Sequence, residues 1–504
     1  MKRALLALFL AAALPAQAQT ILNRGNGSEP ETLDPAFATS QAELNILGDL
    51  MVGLTTLDAR ARPIPGVAER WDVSQDGLTW TFHLRKAQWS DGTSVTAQDF
   101  VSGWQRVLAP KTAGRAAAIL WPVKNARAIS SAAKPPSALG VKASGANTLM
   151  VTLENPTPYL PELLAMPAAA PLARKGVFNG PYTLKNWSPN DRITLARNLR
   201  FYDAAKVRIE TVNYLPTPDT QSALRRLRAG ELDMQTPLPS AQLAWMRQNM
   251  PDALRIMPSL ALAYLAINLH DPALADIRVR RAINLVYDRE AVAQKVMKLG
   301  ESPAYSYVPP TITGYRGGPA LDFKSLPYPA RLAQARRLMQ DAGYSSFNKL
   351  RLTYAASSNP DSRRLAAVFQ AMARQIHIDV QIRVADYQIN LRAMREGQYQ
   401  LGYTTWLADF DDPSNFLDLL RNGAPSNYAG YRNAKFDAAM AKAEREPGAA
   451  KRVFLLQSAE RIALADMPWV PIRTLSQSEA VGPRVGGYIA NARGANRSRW
   501  LWIK

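Results

Sequence analysis

Apolar and polar residues alternate along three short runs: "LTWTFHL" at 78–84, "NTLMVTLEN" at 147–155 and "DRITLARN" at 191–198. Period-two alternation beside turn-forming residues predicts strands that each bury one face. Elsewhere the period lengthens. "TAQDFVSGWQRVL" (96–108) opens with Thr96 as a helix cap and Asp99 three residues on, then repeats apolar residues at Phe100, Trp104, Val107 and Leu108. "DTQSALRRLRAGELDM" (219–234) puts Leu224 and Leu227 on one face and stops at Gly230, and "DIRVRRAINLVYDREAVAQKVM" (276–297) reads as two helices broken near Asp288. Strands and helices thus alternate along the chain, which predicts an α/β fold of sheets covered by helices, not a bundle or an all-β fold. No fixed-period repeat or low-complexity tract interrupts the pattern. Pro/Ser/Ala-rich loops at 130–140, 166–176 and 307–319 are candidate domain edges.

Composition narrows the class. At 504 residues the chain has apolar material for two or three domains, and with no cysteine it can hold no disulfide, thiolate metal site, catalytic thiol or lipidated cysteine. Lys2 and Arg3 precede an apolar run from Ala4 to Leu14, followed by Ala16-Gln17-Ala18; this is the form of a cleaved export signal, expected over residues 1–18. The run falls short of the roughly 20 residues that span a bilayer. A periplasmic location without an anchor follows as the expectation. The net charge of +20 could draw nucleic acid, anionic lipid or an acidic ligand, but the basic residues are scattered. Their densest group, Arg225, Arg226 and Arg228, reads as the solvated face of one helix.

Catalytic signatures are missing where they are easiest to see: there is no G-x-S-x-G, H-E-x-x-H or G-x-x-x-x-G-K-[ST]. "RGNGSEP" has Pro30 where a dinucleotide fingerprint needs its third glycine, so it is a turn. His83, His270 and His377 lie far apart, and His83 sits in an alternating strand as a structural histidine. The most unusual local chemistry is "TTWLADFDDPSNFLDLL" (404–420), an acidic and aromatic cluster in a basic chain. As a calcium loop it fails, since Pro413 and Leu420 fall where oxygen ligands are required. Asp412 before Pro413 suits a helix start. A hydrolase using Asp409 and Asp412 as paired carboxyls stays open at this level. So does a polyanion or chaperone-like binder driven by charge. Asp409 between Trp406 and Phe410 suits capture of an ammonium group, because the rings exclude water and add cation–π attraction.

A series of segments in order resembles the extracytoplasmic peptide-binding proteins of ABC importers, in their oligopeptide and murein-tripeptide branch: "EPETLDP" (29–35), "PGVAERWDVSQDGLTWTFHLRKAQWSDGTSVTAQDFVSGWQRVL" (65–108), "NGPYTLKNW" (179–187), "INLHDPALADIRVRRAINLVYDRE" (267–290), "GESPAYSYVPP" (300–310) and "WLADFDDPSNFL" (406–417). The resemblance implies two α/β lobes closing on an enclosed ligand, the periplasmic binding protein fold of cluster C type, with an additional domain. Its division here would be 19–64, 175–265 and 476–504 for a discontinuous first lobe, 65–174 for the extra domain and 266–475 for the second lobe. It implies a non-enzymatic monomer with no cofactor and no nucleic-acid partner, serving an inner-membrane ABC permease. The ligand would be a short extended peptide added as a strand, or murein tripeptide or another small solute on the same fold.

The resemblance carries Asp409 to the ligand ammonium, Trp406 to the motif aromatic, and Thr405 and Leu407 to backbone pairing. On the opposite side it points to Val52, Gly53 and Leu54, with Val52 where an acidic residue is usual. Tyr387 falls where a pocket tryptophan is common. Tyr403 replaces an arginine that some relatives use for a ligand carboxylate, which leaves Arg392 or Arg395 as the expected substitute. The link between "MPAAAPLA" and "NGPY" is shorter than usual in the family.

Overall fold

The computed structural model describes residues 20–504 apart from residues 173, 237, 239 and 316, so the leader read at 1–18 lies outside the described residues. An eleven-stranded sheet is built around two long antiparallel strands, Leu254–Ile267 and Trp469–Val481. Beyond Leu254–Ile267 come Leu401–Leu407, Leu350–Ser357 and Ile378–Ala385. Beyond Trp469–Val481 come Met234–Gln235, Ile21–Gly25, Thr211–Leu215, Arg192–Arg197 and Tyr182–Ser188. The register of the long pair slips between Pro258 and Leu262, opposite Ser476 and Thr474. Such a bulge bends the ribbon and breaks its ladder.

Apolar residues gather accordingly into two large cores. One is drawn from Leu260 to Ile472 and packs Tyr264 against Trp469 at 4.1 Å between ring centroids. The other runs from Leu22 to Tyr214 and takes in Val481 and Leu501 near the end of the chain. The long strand pair passes from one to the other, which makes the molecule two-lobed with the irregular ribbon between the lobes. Next to the second core lies a separate four-stranded sheet of Ala68–Val73, Thr79–Leu84, Thr148–Thr152 and Val141–Ala143.

The strands expected from alternation form at Thr79–Leu84, Thr148–Thr152 and Arg192–Arg197. The helix expected at 96–108 is Ala97–Leu108, and the Asp99 carboxylate accepts the Thr96 N–H at 2.8 Å, satisfying a donor that the first turn leaves unpaired. Its apolar face is fully covered at Phe100 and Trp104, burial that stabilises by about 1.5–3 kcal/mol for a side chain of Phe size. Thr220–Arg228 is helical, and Gly230 (φ +75°) turns the chain toward the Met234–Gln235 strand. Residues 276–297 form two helices, Ile277–Val286 and a π-helix at Ala291–Met297. Arg226 pairs with Glu231 and Arg228 lies over Trp245, so the arginine group is a surface face as expected. His83 is tied to Asp72 at 2.7 Å, a structural contact. Among the described residues no helix is long and apolar enough to cross a membrane.

Candidate functional site

The Leu401–Leu407 strand places the acidic cluster. Its register with Leu254–Ile267 pairs Leu407 with Ala261 and Thr405 with Ala263, and the Ala408 N–H continues it by donating to the Leu260 carbonyl at 2.8 Å. Backbone groups alternate sides along a strand. Ala408, Trp406 and Thr404 therefore turn their N–H and C=O toward Leu254–Ile267, whereas Leu407, Thr405 and Tyr403 turn theirs the other way. On that other side Leu350–Ser357 pairs with Leu401 and Gly402 and then departs. Thr405 and Leu407, both exposed, thus stand on an open sheet edge.

At the end of this edge the chain turns through Asp409, Phe410, Asp411 and Asp412 into the short Ser414–Leu417 helix. Asp412 accepts the Ser414 N–H at 2.9 Å and its hydroxyl at 2.7 Å, the helix-start role read from Asp-Pro, and is also clasped by Arg452 at 2.6 and 2.9 Å. Asp411 accepts the Thr313 N–H at 2.8 Å. With Asp412 so engaged, Asp409 and Asp412 do not form the free pair of carboxyls that a glycosidase needs. Asp409 has no hydrogen-bond or ion-pair partner among the described residues. Its carboxylate reaches solvent through the mouth of a recess of about 980 Å³, yet the surrounding walls displace enough water to hold its pKa above the ordinary aspartate value. Trp406 lines the same recess, its ring fixed by donation from Nε1 to the Asn415 side-chain oxygen at 2.7 Å. Phe410 is stacked at 4.2 Å and 3° on Tyr159 of the opposite wall.

Two sets of residues face each other across the recess. One comes from 406–456; the other comes from the N-terminal part of the chain and includes Ala38, Thr39, Arg115, Trp121, Arg127, Tyr159 and Met166. A polar tie also crosses beside it: Glu162 accepts the Asp411 N–H at 2.8 Å and contacts Arg493. Burial outweighs that arginine and pushes the Glu162 carboxyl up to about 7.

Val52, Gly53 and Leu54 do not line this recess. They are buried, with both backbone groups of Val52 taken by the Asn179 side chain at 3.0 and 2.7 Å, and the Gly53 and Leu54 carbonyls accepting from Val67 and from Gly66 and Ala68. The N-terminal wall of the recess is lined by other residues, Ala38 and Thr39 among them. Tyr387 and Arg395 occupy the Tyr387–Arg395 helix; both are exposed and, with Arg392, lie outside the recess. Tyr403 accepts from Arg473 at 3.0 Å, and Arg473 is itself buried against Glu301 at 2.7 Å. The sequence did not single out Asn415, Asp418, Trp121 or Arg127. Asn415 and Asp418 could have been found from the helical register after Pro413, whereas nothing local marks the other two.

Residues 62–428 match the family model described as bacterial extracellular solute-binding proteins, family 5, middle. The chain belongs to this family. It is 34% identical over 97% of its length to the probable deoxycholate-binding periplasmic protein YgiS of Escherichia coli, covering 95% of that protein. It is also 34% identical over 94% of its length to the periplasmic oligopeptide-binding protein OppA of Escherichia coli, covering 90% of it. Among solved structures, the unliganded open form of the murein tripeptide-binding protein MppA superimposes with a TM-score of 0.88 at 30% identity, covering 96% of this chain and 98% of that one. Haemophilus influenzae OppA in complex with the peptide RPPGFSPFR gives 0.77 at 30% identity, with 96% and 99% covered. Of these two structures the unliganded open form gives the better fit. Family 5 members are binding proteins, and the relatives named here are periplasmic.

Proposed function

We propose that this chain captures short peptides between its lobes, exported to the periplasm by a cleaved leader without a lipid anchor, and hands them as a monomer to an inner-membrane ABC permease. The peptide ammonium meets Asp409, and the peptide backbone adds as a strand to the edge at Thr405 and Leu407. Lobe closure follows because a ligand that touches both walls only in the closed form shifts the population toward it. The proposed lobes, 19–64, 175–265 and 476–504 against 266–475, with 65–174 added, have boundaries inside the two long paired strands, where a bulge permits bending.

The observation that carries this reading is an unpaired carboxylate in a recess at the end of an open strand edge. The walls of the recess shield this exposed carboxylate from part of its water, and an arriving ammonium supplies the pairing that the fold does not. A second reading, an amphipathic anion of the kind named for YgiS, is favoured by apolar residues on the N-terminal wall such as Ile119, Leu163 and Met166, but it leaves Asp409 unmatched. Calorimetry with alanine peptides of two to five residues, their N-acetylated forms and deoxycholate separates the two. Peptide binding abolished by acetylation is the expected result; binding of deoxycholate with no response to any peptide overturns the proposal.

A further inference from the structure

Resting on the peptide reading, we propose that Arg127 takes the ligand's carboxylate. Tyr403 holds the position that the family resemblance would give to a carboxylate-binding arginine, and the sequence offered Arg392 or Arg395 instead, both outside the recess. Among the described residues four arginines line the recess: Arg115, Arg127, Arg421 and Arg452. Arg452 is closed on Asp412 at 2.6 Å, and Arg421 lies between Glu444 at 3.1 Å and Asp418 at 3.6 Å. Arg115 pairs with Glu31 at 3.0 Å and also donates to the Phe37 carbonyl. Arg127 has no acidic partner among the described residues. Glu154, an acidic residue lining the same wall, accepts from the Asn125 N–H at 2.7 Å.

Arg127 is nevertheless positioned. Its guanidinium lies over the ring of Trp121 at 4.5 Å, and Trp121 also lines the recess. Stacking occupies the face of the guanidinium and leaves its N–H donors, which lie in the plane, free along the edge. A fork of donors held in this way suits a carboxylate bound through both oxygens. Arg127 stands on the N-terminal wall and Asp409 on the other, so a zwitterionic peptide would neutralise one charge on each wall. Two-ended capture of this kind makes contact with both walls of the recess a requirement for full affinity, which ties ligand recognition to their approach.

The test is calorimetry of wild type, Arg127→Gln, Arg127→Lys and Asp409→Asn with the alanine peptide that binds most tightly, its C-terminal amide and its N-acetyl form. Wild type should lose affinity on either capping. Arg127→Gln should bind the free acid on the order of tenfold to a hundredfold more weakly, no longer distinguish acid from amide, and still reject the acetylated form. Arg127→Lys should recover part of the distinction, since the charge remains without the fork. If Arg127→Gln keeps the full acid-to-amide ratio while acetylation and Asp409→Asn still weaken binding, Arg127 is not the partner, although the peptide reading stands. If no alanine peptide binds, the peptide reading fails and this inference with it; if peptide binds and neither cap matters, Asp409 and Arg127 both lose their roles.

Discussion

Asp409 and Asp412 stand three residues apart on one loop, yet the protein treats their ends of it in opposite ways. At the far end Asp412 is buried and accepts from a guanidinium, a hydroxyl and a backbone N–H. Both carboxylate oxygens that burial removes from water receive protein donors, so this end is structural. At the near end Asp409 lies in the wall of a recess with no donor among the described residues, at the tip of a strand edge that is also unpaired. One carboxylate completes the fold, whereas the other is left for something that arrives later. The difference shows that acidity and sequence neighbourhood do not separate the two roles; the supply of donors from distant parts of the chain does, since Arg452 lies 40 residues from its partner.

The comparison breaks most visibly at the structural end. Arg452→Ala should leave Asp412 buried without its cation and cost about 3–5 kcal/mol of stability, measured as a lower urea midpoint in the ligand-free protein. A loss below 1 kcal/mol would mean that Asp412 is held by the Ser414 donors alone. At the other end, Asp409→Asn should cost about 2–4 kcal/mol of peptide affinity and leave the urea midpoint unchanged or slightly raised, because it removes a partly shielded charge that nothing among the described residues pairs. Equal effects of the two substitutions on stability would erase the distinction.

Much of this arrangement was readable before the structure. Alternation located the half-buried strands because a two-sided strand must alternate, and Asp-Pro marked the start of the Ser414–Leu417 helix because that chemistry is local. Asp409 and Trp406 were readable as a pair for the same reason: they are close in the chain. What could not be read was which backbone is already used. The resemblance offers Val52 to Leu54 as backbone partners, but Asn179, 127 residues from Val52, already takes the Val52 backbone groups. Ala38 and Thr39 carry no side-chain signal for the wall they form. Arg127 was equally silent, because a sequence full of arginines does not disclose which of them lacks a carboxylate and faces a cavity.

A smaller effect tests how the site is held. Trp406→Phe keeps an aromatic ring but removes the donor to Asn415, and should cost about 1 kcal/mol of peptide affinity. The weakening should be equal for free and C-terminally amidated peptides, since Trp406 belongs to the ammonium end. A loss confined to the free acid would move the ring to the other end of the ligand.

The smallest effect near neutrality is the dependence of affinity on pH, and it sharpens the comparison because only one of the two aspartates should appear in it. Burial raises the Asp409 carboxyl in the free protein above its unfolded value. Across the interval between those two values the native state binds more protons than the unfolded chain, so this group's contribution to stability falls as pH rises through the interval. Binding runs in the opposite sense. An ammonium ligand needs the charged carboxylate, so affinity should be flat near neutrality and fall as pH drops through the free-protein value, starting at a higher pH than an ordinary aspartate would give. On the alkaline side affinity should fall again as the peptide α-amino group loses its proton, at roughly pH 8. The profile is therefore a bell whose acid limb belongs to Asp409 and whose alkaline limb belongs to the ligand. A C-terminally amidated peptide removes the ligand carboxyl from the acid side, and Asp409→Asn should then bind it weakly and without that limb. An unchanged acid limb in that variant would assign the titration to another group and return Asp409 to the company of Asp412.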